Sequence, residues 1–237
     1  MNPPILEITN LVSGYDETHI LTDISLRVAS REIYALIGKN GAGKTTLLRT
    51  ILGLLSPTAG SVKMLDQDVT GWSPNRIVGL GVGYAPQDQA FFSDLTVEEN
   101  LRLGSLQLSD AQYRRQRERV LDYFPLVGER LKQKAGSLSG GEQCMLKIAR
   151  AILPGPKILL LDEISEGLQP SVLNRVREWL VSEHDRLDVA LILVEQNLDF
   201  ISSFAHRFGL MARGQVTREG SFLDADAHDI IHRHLAI

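Results

Sequence analysis

Residues Gly38-Lys39-Asn40-Gly41-Ala42-Gly43-Lys44-Thr45 carry the pattern G-x-x-x-x-G-K-[ST], set between a short apolar run and a helical stretch. Glycines let such a loop turn several backbone N–H groups inward on one anion, and the helix that follows adds its positive end. Lys44 can then reach the β and γ phosphates of a nucleotide as a mobile point charge, and the Thr45 hydroxyl can ligate Mg2+. Average residue usage produces this pattern by chance in roughly one chain of this length in a hundred, so its setting between a strand and a helix decides the reading. A second chemical pair, Asp162-Glu163, directly follows the apolar residues Ile158 to Leu161. Adjacent residues at a strand's end point in different directions, so Asp162 is expected to hold Mg2+ through water and Glu163 to polarise the attacking water. A third group is Leu138-Ser139-Gly140-Gly141-Glu142-Gln143. The Ser139 hydroxyl and the Gly140 and Gly141 N–H groups, at the start of a helix, make a second anion site. One chain with two phosphate-binding elements has either two ligands or a partner.

The elements that must position these groups are legible in the apolar spacing. Ile5, Ile8 and Leu11, then Ile20, Ile24, Leu26 and Val28, alternate with polar residues and predict an antiparallel sheet with turns around Gly14 and Asp16. Residues 33–37 are apolar throughout, which predicts a strand buried on both faces, followed by a helix over 44–54. After a turn at 57–60, a second strand-rich portion leads to Val82 and on to Gln87. Residues 96–134 mix apolar positions with many charges and predict a solvated helical insertion, its basic run Tyr113 to Arg119 being a solvated face and not a nucleic-acid patch. Further buried strands at 158–161 and 190–194, with a helix over 172–181 between them, predict a parallel sheet with helices on both faces. The fold class is therefore α/β, as one domain over 1–237. Residues 1–87 and 138–237 form the core with its antiparallel β subdomain, and 88–137 the helical subdomain.

Composition sets limits on function. Among 237 residues, 25 basic side chains against 29 acidic ones leave a net charge of −4, which supplies no footprint for nucleic acid or acidic lipid, so a partner must be found by shape. The start MNPPILEITN lacks a basic region with a long apolar stretch, and the apolar runs are strand-sized, so the chain is expected neither to enter nor to span a membrane by itself. The single cysteine, Cys144, excludes an internal disulfide and a cysteine-clustered zinc site, fits a reducing compartment, and reads as a small packing residue. His228 and His232 share i,i+4 spacing and His234 follows, but without an acidic or cysteine scaffold they predict a solvated tail helix and not a metal site.

A glycine loop and an acidic strand end define a superfamily and not a function. With Leu138 to Gln143 some twenty residues before the acidic strand, however, the chain resembles the nucleotide-binding domain of ABC transporters, from Leu6 to about Gly220. The resemblance implies a P-loop fold with a RecA-like core, ATP and Mg2+ as ligands, and a dimer in which Ser139, Gly140 and Gly141 of one chain grip the γ phosphate held by the loop of the other. It implies further that Gln87 touches Mg2+ and the water, that Thr46 contacts the α phosphate, and that Tyr15 stacks on adenine, although a lone aromatic at a strand turn is by itself more often core. Phe91 and Phe92 are either plain core or an exposed docking element for the membrane partner. Three positions depart from the family pattern. Gln196 stands where histidine is common; it can donate to the γ phosphate but carries no positive charge. Ile164 replaces a usual proline and Gln169 a usual aspartate. Leu-Val-Glu-Gln and Glu-Gly-Leu-Gln-Pro are similar to the second ATPase subunit of branched-chain amino-acid and urea importers. The expectation is thus an ATPase that energises an importer from the cytoplasmic face, with separate permease subunits, a second ATPase chain that is a copy or a paralogue, and a solute-binding protein indirectly. An ABC exporter subunit, or a soluble ABC ATPase acting on nucleic acid or the ribosome, is the alternative. The soluble class would need coiled-coil arms or tandem ATPase units, and a kinase or GTPase would leave Ser139 to Gln143 without a task.

Overall fold

In the computed structural model, which describes residues 4–88, 91–187 and 189–236, the opening alternation folds as expected. Strands β1 (Pro4–Tyr15) and β2 (Thr18–Ala29) pair antiparallel, β4 (Ala59–Met64) joins the other side of β1, and the short β5 (Gln67–Asp68) closes the order β2-β1-β4-β5. The hairpin turn falls at Asp16 and Glu17, with Asp16 in the left-handed region at φ 50°. Gly14 therefore sits in the ladder opposite His19, not in the turn.

The second sheet has the order β10-β9-β3-β8-β7-β6. Strands β3 (Ile33–Ile37), β6 (Val82–Ala85), β7 (Ile158–Asp162) and β8 (Ala190–Glu195) are parallel, as is β9 (Arg207–Ala212) to β3; only the edge strand β10 (Gln215–Ser221) runs antiparallel. Every residue of β3, β7 and β8 is buried, and successive side chains enter different cores. Ile33, Ala35, Leu159, Leu161, Leu191 and Leu193 face one, while Tyr34, Leu36, Ile158, Leu160, Ile192 and Val194 face the other. A strand with period-2 side chains reads as continuously apolar only when both faces are covered. Helices α1 (Lys44–Ile51) and α2 (Pro74–Gly79) cover the second face together with the antiparallel sheet, so that face is not lined by helices alone. The first is covered by α6 (Gly140–Ile152), α7 (Pro170–Leu187), the short α8 (Leu198–Ile201) and α9 (Ala227–Ala236). Helix α1 stops short of 54 because Gly53 turns left-handed at φ 70°, and α7, opening on Pro170, runs beyond the expected 172–181.

Between β6 and α6 lie α3 (Val97–Leu103), α4 (Asp110–Tyr123) and α5 (Pro125–Glu129), the first two started by capping boxes at Thr96 and Ser109. Arg114, Arg115 and Glu118 are exposed, but Tyr113 and Arg117 are not part of a purely solvated face. Tyr113 lies under the Arg102 guanidinium and donates to Glu98 Oε1 at 3.0 Å, and Arg117 pairs with the same carboxylate at 2.7 Å. The tail helix α9 also departs from expectation: Ala227 and Ile231 are buried, and a His234 ring nitrogen lies 3.1 Å from the Met211 carbonyl. Among the described residues no group of three or more His, Cys, Asp and Glu side chains is placed to hold a metal, and no helix is long and apolar enough to cross a membrane.

Candidate nucleotide site

Parallel register brings the chemical groups to one edge of the second sheet. Ile37 pairs with Glu195 and Asp162 with Val194, so the ends of β3, β7 and β8 lie side by side. The loop from Gly38 leaves β3 there and returns as α1 through Gly41 at φ 81° and Gly43 at φ 105°, conformations that side chains resist. Gly43 is the N-cap, no side chain caps the helix, and its first N–H groups have no intrahelical partner. Ala42 fixes the loop by donating to Lys39 O at 3.1 Å and accepting from Gly214 N–H at 2.9 Å.

Lys44 is 3% exposed and folds back over this loop, donating to Gly38 O at 2.7 Å and Lys39 O at 3.1 Å. Its Nζ also pairs with Glu163 Oε1 at 3.1 Å. Glu163 is the hub of the site. Gln196 Nε2 donates to Glu163 Oε1 at 3.0 Å and to Asn40 Oδ1 at 2.7 Å; Gln87 Nε2 donates to Glu163 Oε2 at 3.0 Å and to Glu166 Oε2 at 2.7 Å. Glu163 itself follows β7 in the left-handed region at φ 46°, a backbone state that persists only where surroundings hold it. Asn40, Glu163, Glu166 and Gln196 line a cavity of about 320 Å³.

Asp162 points elsewhere, as adjacent strand-end residues must. Tyr84 donates to its Oδ2 at 3.3 Å and the Thr45 hydroxyl bonds to it as well. Burial raises the Asp162 carboxyl above its usual range and the charge of Glu163 adds to this, while Tyr84, Thr45 and Lys44 pull it back. Burial likewise raises the Tyr84 phenol, with Asp162 contributing.

The sequence-selected residues fall into one network and several positions outside it. Asn40, Lys44, Gln87, Glu163 and Gln196 are joined directly, with Thr45 and Asp162 beside them. Thr46 is buried in the first turn of α1, its carbonyl accepting from the Thr50 hydroxyl at 2.8 Å. Tyr15, 39% exposed, accepts from Arg49 of α1 at 2.9 Å. Ser139 caps α6, which Gly140 and Gly141 open, and among the described residues it shares no hydrogen bond with the network. Ser139 is exposed and forms a capping box with Glu142, and nothing lies within 4 Å of where a Gly140 Cβ would sit. Phe91 packs against the core, while Phe92 is exposed beneath the Arg150 guanidinium. Sequence reasoning missed four partners: Tyr84, Glu166, Glu195 and Lys147, whose Nζ reaches the Gln87 carbonyl at 2.5 Å and links α6 to it. Only Glu195, an acid ending an apolar strand, carried a visible signal.

The sequence profile described as ABC transporter matches residues 21–166. The chain is 37% identical over 212 residues to the high-affinity branched-chain amino acid transport ATP-binding protein BraG of Pseudomonas aeruginosa, covering 90% of this chain and 91% of that one. It is 33% identical over 225 residues to the probable branched-chain amino acid transport ATP-binding protein LivF of Archaeoglobus fulgidus, covering 95% of each. A solved ATP-binding subunit of an ABC transporter superposes with a TM-score of 0.85 at 27% identity, covering 98% of this chain and all of that one. The ADP conformation of another ABC transporter cassette, at 24% identity, shares the fold with a TM-score of 0.86 over 99% and 96% of the two chains. With an intact phosphate loop, an acidic strand end and these relatives over nearly its whole length, the chain belongs to the ABC transporter family and is one of its ATP-hydrolysing subunits.

Proposed function

We propose that this chain drives the import of branched-chain amino acids, working on the cytoplasmic face of a membrane beneath separate permease subunits. Two ATPase chains pair across bound ATP, and an external solute-binding protein delivers the cargo. The observation that carries the catalytic reading is the convergence of Lys44, Gln87 and Gln196 on the Glu163 carboxylate. A base must be held in place by its neighbours before it can take a proton from water, and Glu163 is held at both oxygens.

The roles follow from the donors present. Backbone N–H groups of Gly41, Gly43, Lys44, Thr45 and Thr46 would receive phosphate oxygens, Lys44 would neutralise the terminal phosphates, and Tyr15 would carry the adenine. Gln196, tied to both Asn40 and Glu163, would donate to the γ phosphate and keep the base aimed. For Mg2+ the fit is good: Asp162 Oδ1 is buried without a hydrogen-bond partner among the described residues, beside the Thr45 hydroxyl, and hard oxygen donors suit a hard cation. Thr45, Asp162 and the Gln87 side chain would hold the ion, which neutralises phosphate charge when bound. Pairing is supported by the exposed Ser139 turn with Gly140 and Gly141, open to a facing chain. The cargo is inferred from the two branched-chain relatives. Residues 88–137 would be the helical subdomain that carries the permease, with Gln87 at its entrance.

The experiment compares the purified full chain with Glu163→Gln. The wild type should hydrolyse ATP slowly, and the variant should bind ATP, barely turn it over, and run as a dimer with ATP in light scattering. Rapid turnover by a strict monomer would overturn the reading, as would co-purification with nucleic acid in place of membrane permeases.

A further inference from the structure

Glu195 ends β8 and is 2% exposed, an acid closing a run that is otherwise Ala190-Leu191-Ile192-Leu193-Val194. Both of its carboxylate oxygens are taken by one residue. The Ser165 N–H donates to Oε1 at 2.9 Å and the Ser165 hydroxyl donates to Oε2 at 2.6 Å. A second tie lies on the near side of the same turn, where the Glu163 N–H donates to the Val194 carbonyl at 2.8 Å. The left-handed backbone of Glu163 is thus fastened before and after to the last two residues of β8. A residue with a Cβ leaves that conformation unless its surroundings hold it. A carboxylate buried this deeply is itself tolerated only with its acceptors filled; Ser165 reaches both oxygens, and the Gln196 backbone N–H adds a further bond.

We propose that Glu195 is a positioning residue: by gripping Ser165 it holds Glu163 in the left-handed turn that aims the Glu163 carboxylate at Lys44, Gln87 and Gln196. This rests on the reading of Glu163 as the base. If the grip is released, Glu163 relaxes toward negative φ and its carboxylate leaves the site. The phosphate loop, built from β3 and α1, keeps its backbone, and Lys44 keeps its bonds to Gly38 O and Lys39 O while losing Glu163. The signature is therefore a loss of turnover without a loss of nucleotide affinity.

The test uses the full chain as Glu195→Gln, Ser165→Ala and Ser165→Thr, with Glu163→Gln as control. A fluorescent ATP analogue gives affinity, steady-state hydrolysis gives kcat and KM, and thermal melting reports folding. Glu195→Gln and Ser165→Ala should each lower kcat at least ten-fold with nucleotide affinity no weaker than wild type. Ser165→Thr, which keeps the hydroxyl, should restore kcat to within two-fold. A merely structural role would lower the melting temperature and leave kcat unchanged well below it. Wild-type kcat in both folded variants overturns the proposal, and so does an affinity loss that matches the loss of kcat. Should Glu195→Gln fail to fold, Ser165→Ala decides alone. If Glu163→Gln itself turns over normally, the reading of the base fails. If Glu163→Gln is inactive while the Glu195 and Ser165 variants run at wild-type speed, only the present inference fails.

Discussion

Lys44 Nζ lies 3.1 Å from Glu163 Oε1, and the two side chains are 3% and 9% exposed. The cation of the phosphate loop and the proposed base are therefore one buried ion pair. A triphosphate that draws on Lys44 must compete with Glu163 for it, and must also accept the nearby negative charge.

Replacing Glu163 by Gln removes both the competition and the repulsion while keeping the shape. ATP affinity should rise several-fold in the variant, measured by titration of a fluorescent analogue, and turnover should fall by roughly 10²–10⁴, the range that a positioned acid–base group supplies. Unchanged affinity would show that Lys44 is not shared between the two anions.

Lys44→Ala breaks the pair from the other side and leaves Glu163 buried without its cation. Removing one partner of a buried pair costs about 3–5 kcal/mol, so the urea midpoint should drop markedly and ATP affinity should fall more than ten-fold. Stability equal to wild type would mean that Gln87 and Gln196 alone satisfy the carboxylate.

The phosphate loop, the acidic pair and the buried strands could be read from sequence because each is local: a strand, a loop and a helix in fixed order, or an apolar run with an abrupt charge. Partners brought together by topology could not. Lys147 and Gln87 are 60 residues apart, and Tyr84 and Asp162 are 78 apart, so no spacing along the chain announces them. Of the two turn positions expected, Gly14 and Asp16, only Asp16 lies in the turn, at φ 50°, while Gly14 stays in the ladder opposite His19. The charges of the basic run predict a solvated face and so hide its anchored members Tyr113, Arg117 and Arg119.

Gly43→Ala and Gly41→Ala separate backbone strain from crowding. Both positions have positive φ, but an added Cβ at Gly41 meets nothing within 4 Å, while at Gly43 it meets Met211 Cε at 2.9 Å and Leu21 Cδ2 at 3.1 Å. Gly41→Ala should cost about 1–2 kcal/mol and Gly43→Ala more, read from chemical denaturation. Equal costs would show that the Met211 tip moves aside freely.

Cys144 gives an internal probe of folding. It is buried in α6 with its thiol toward the Ile164 carbonyl, and burial pushes the thiol up to about 12. The thiolate is the reactive form, so alkylation by iodoacetamide at pH 8 should be negligible in the folded chain and should appear only in step with denaturant unfolding. Fast labelling of the native chain would place the thiol at the surface.

The pH dependence of stability should carry the mark of Glu195. Burial raises its carboxyl to about 7 from an ordinary value of 4.5, and the bonds from Ser165 only partly oppose that. The folded chain therefore holds a proton here that the unfolded chain has already released, so the associated stability is full below about pH 4.5 and is lost as pH rises through about 7. For a side chain 2% exposed, a shift of that size corresponds to at most about 3 kcal/mol. Urea unfolding of the wild type should show stability falling between pH 5 and 8, with the buried Asp162 contributing in the same direction. Glu195→Gln cannot titrate, so whatever its absolute stability its curve should be flatter over that window. Parallel curves for the two proteins would mean that Glu195 is ionised throughout, held as a carboxylate by the two Ser165 bonds.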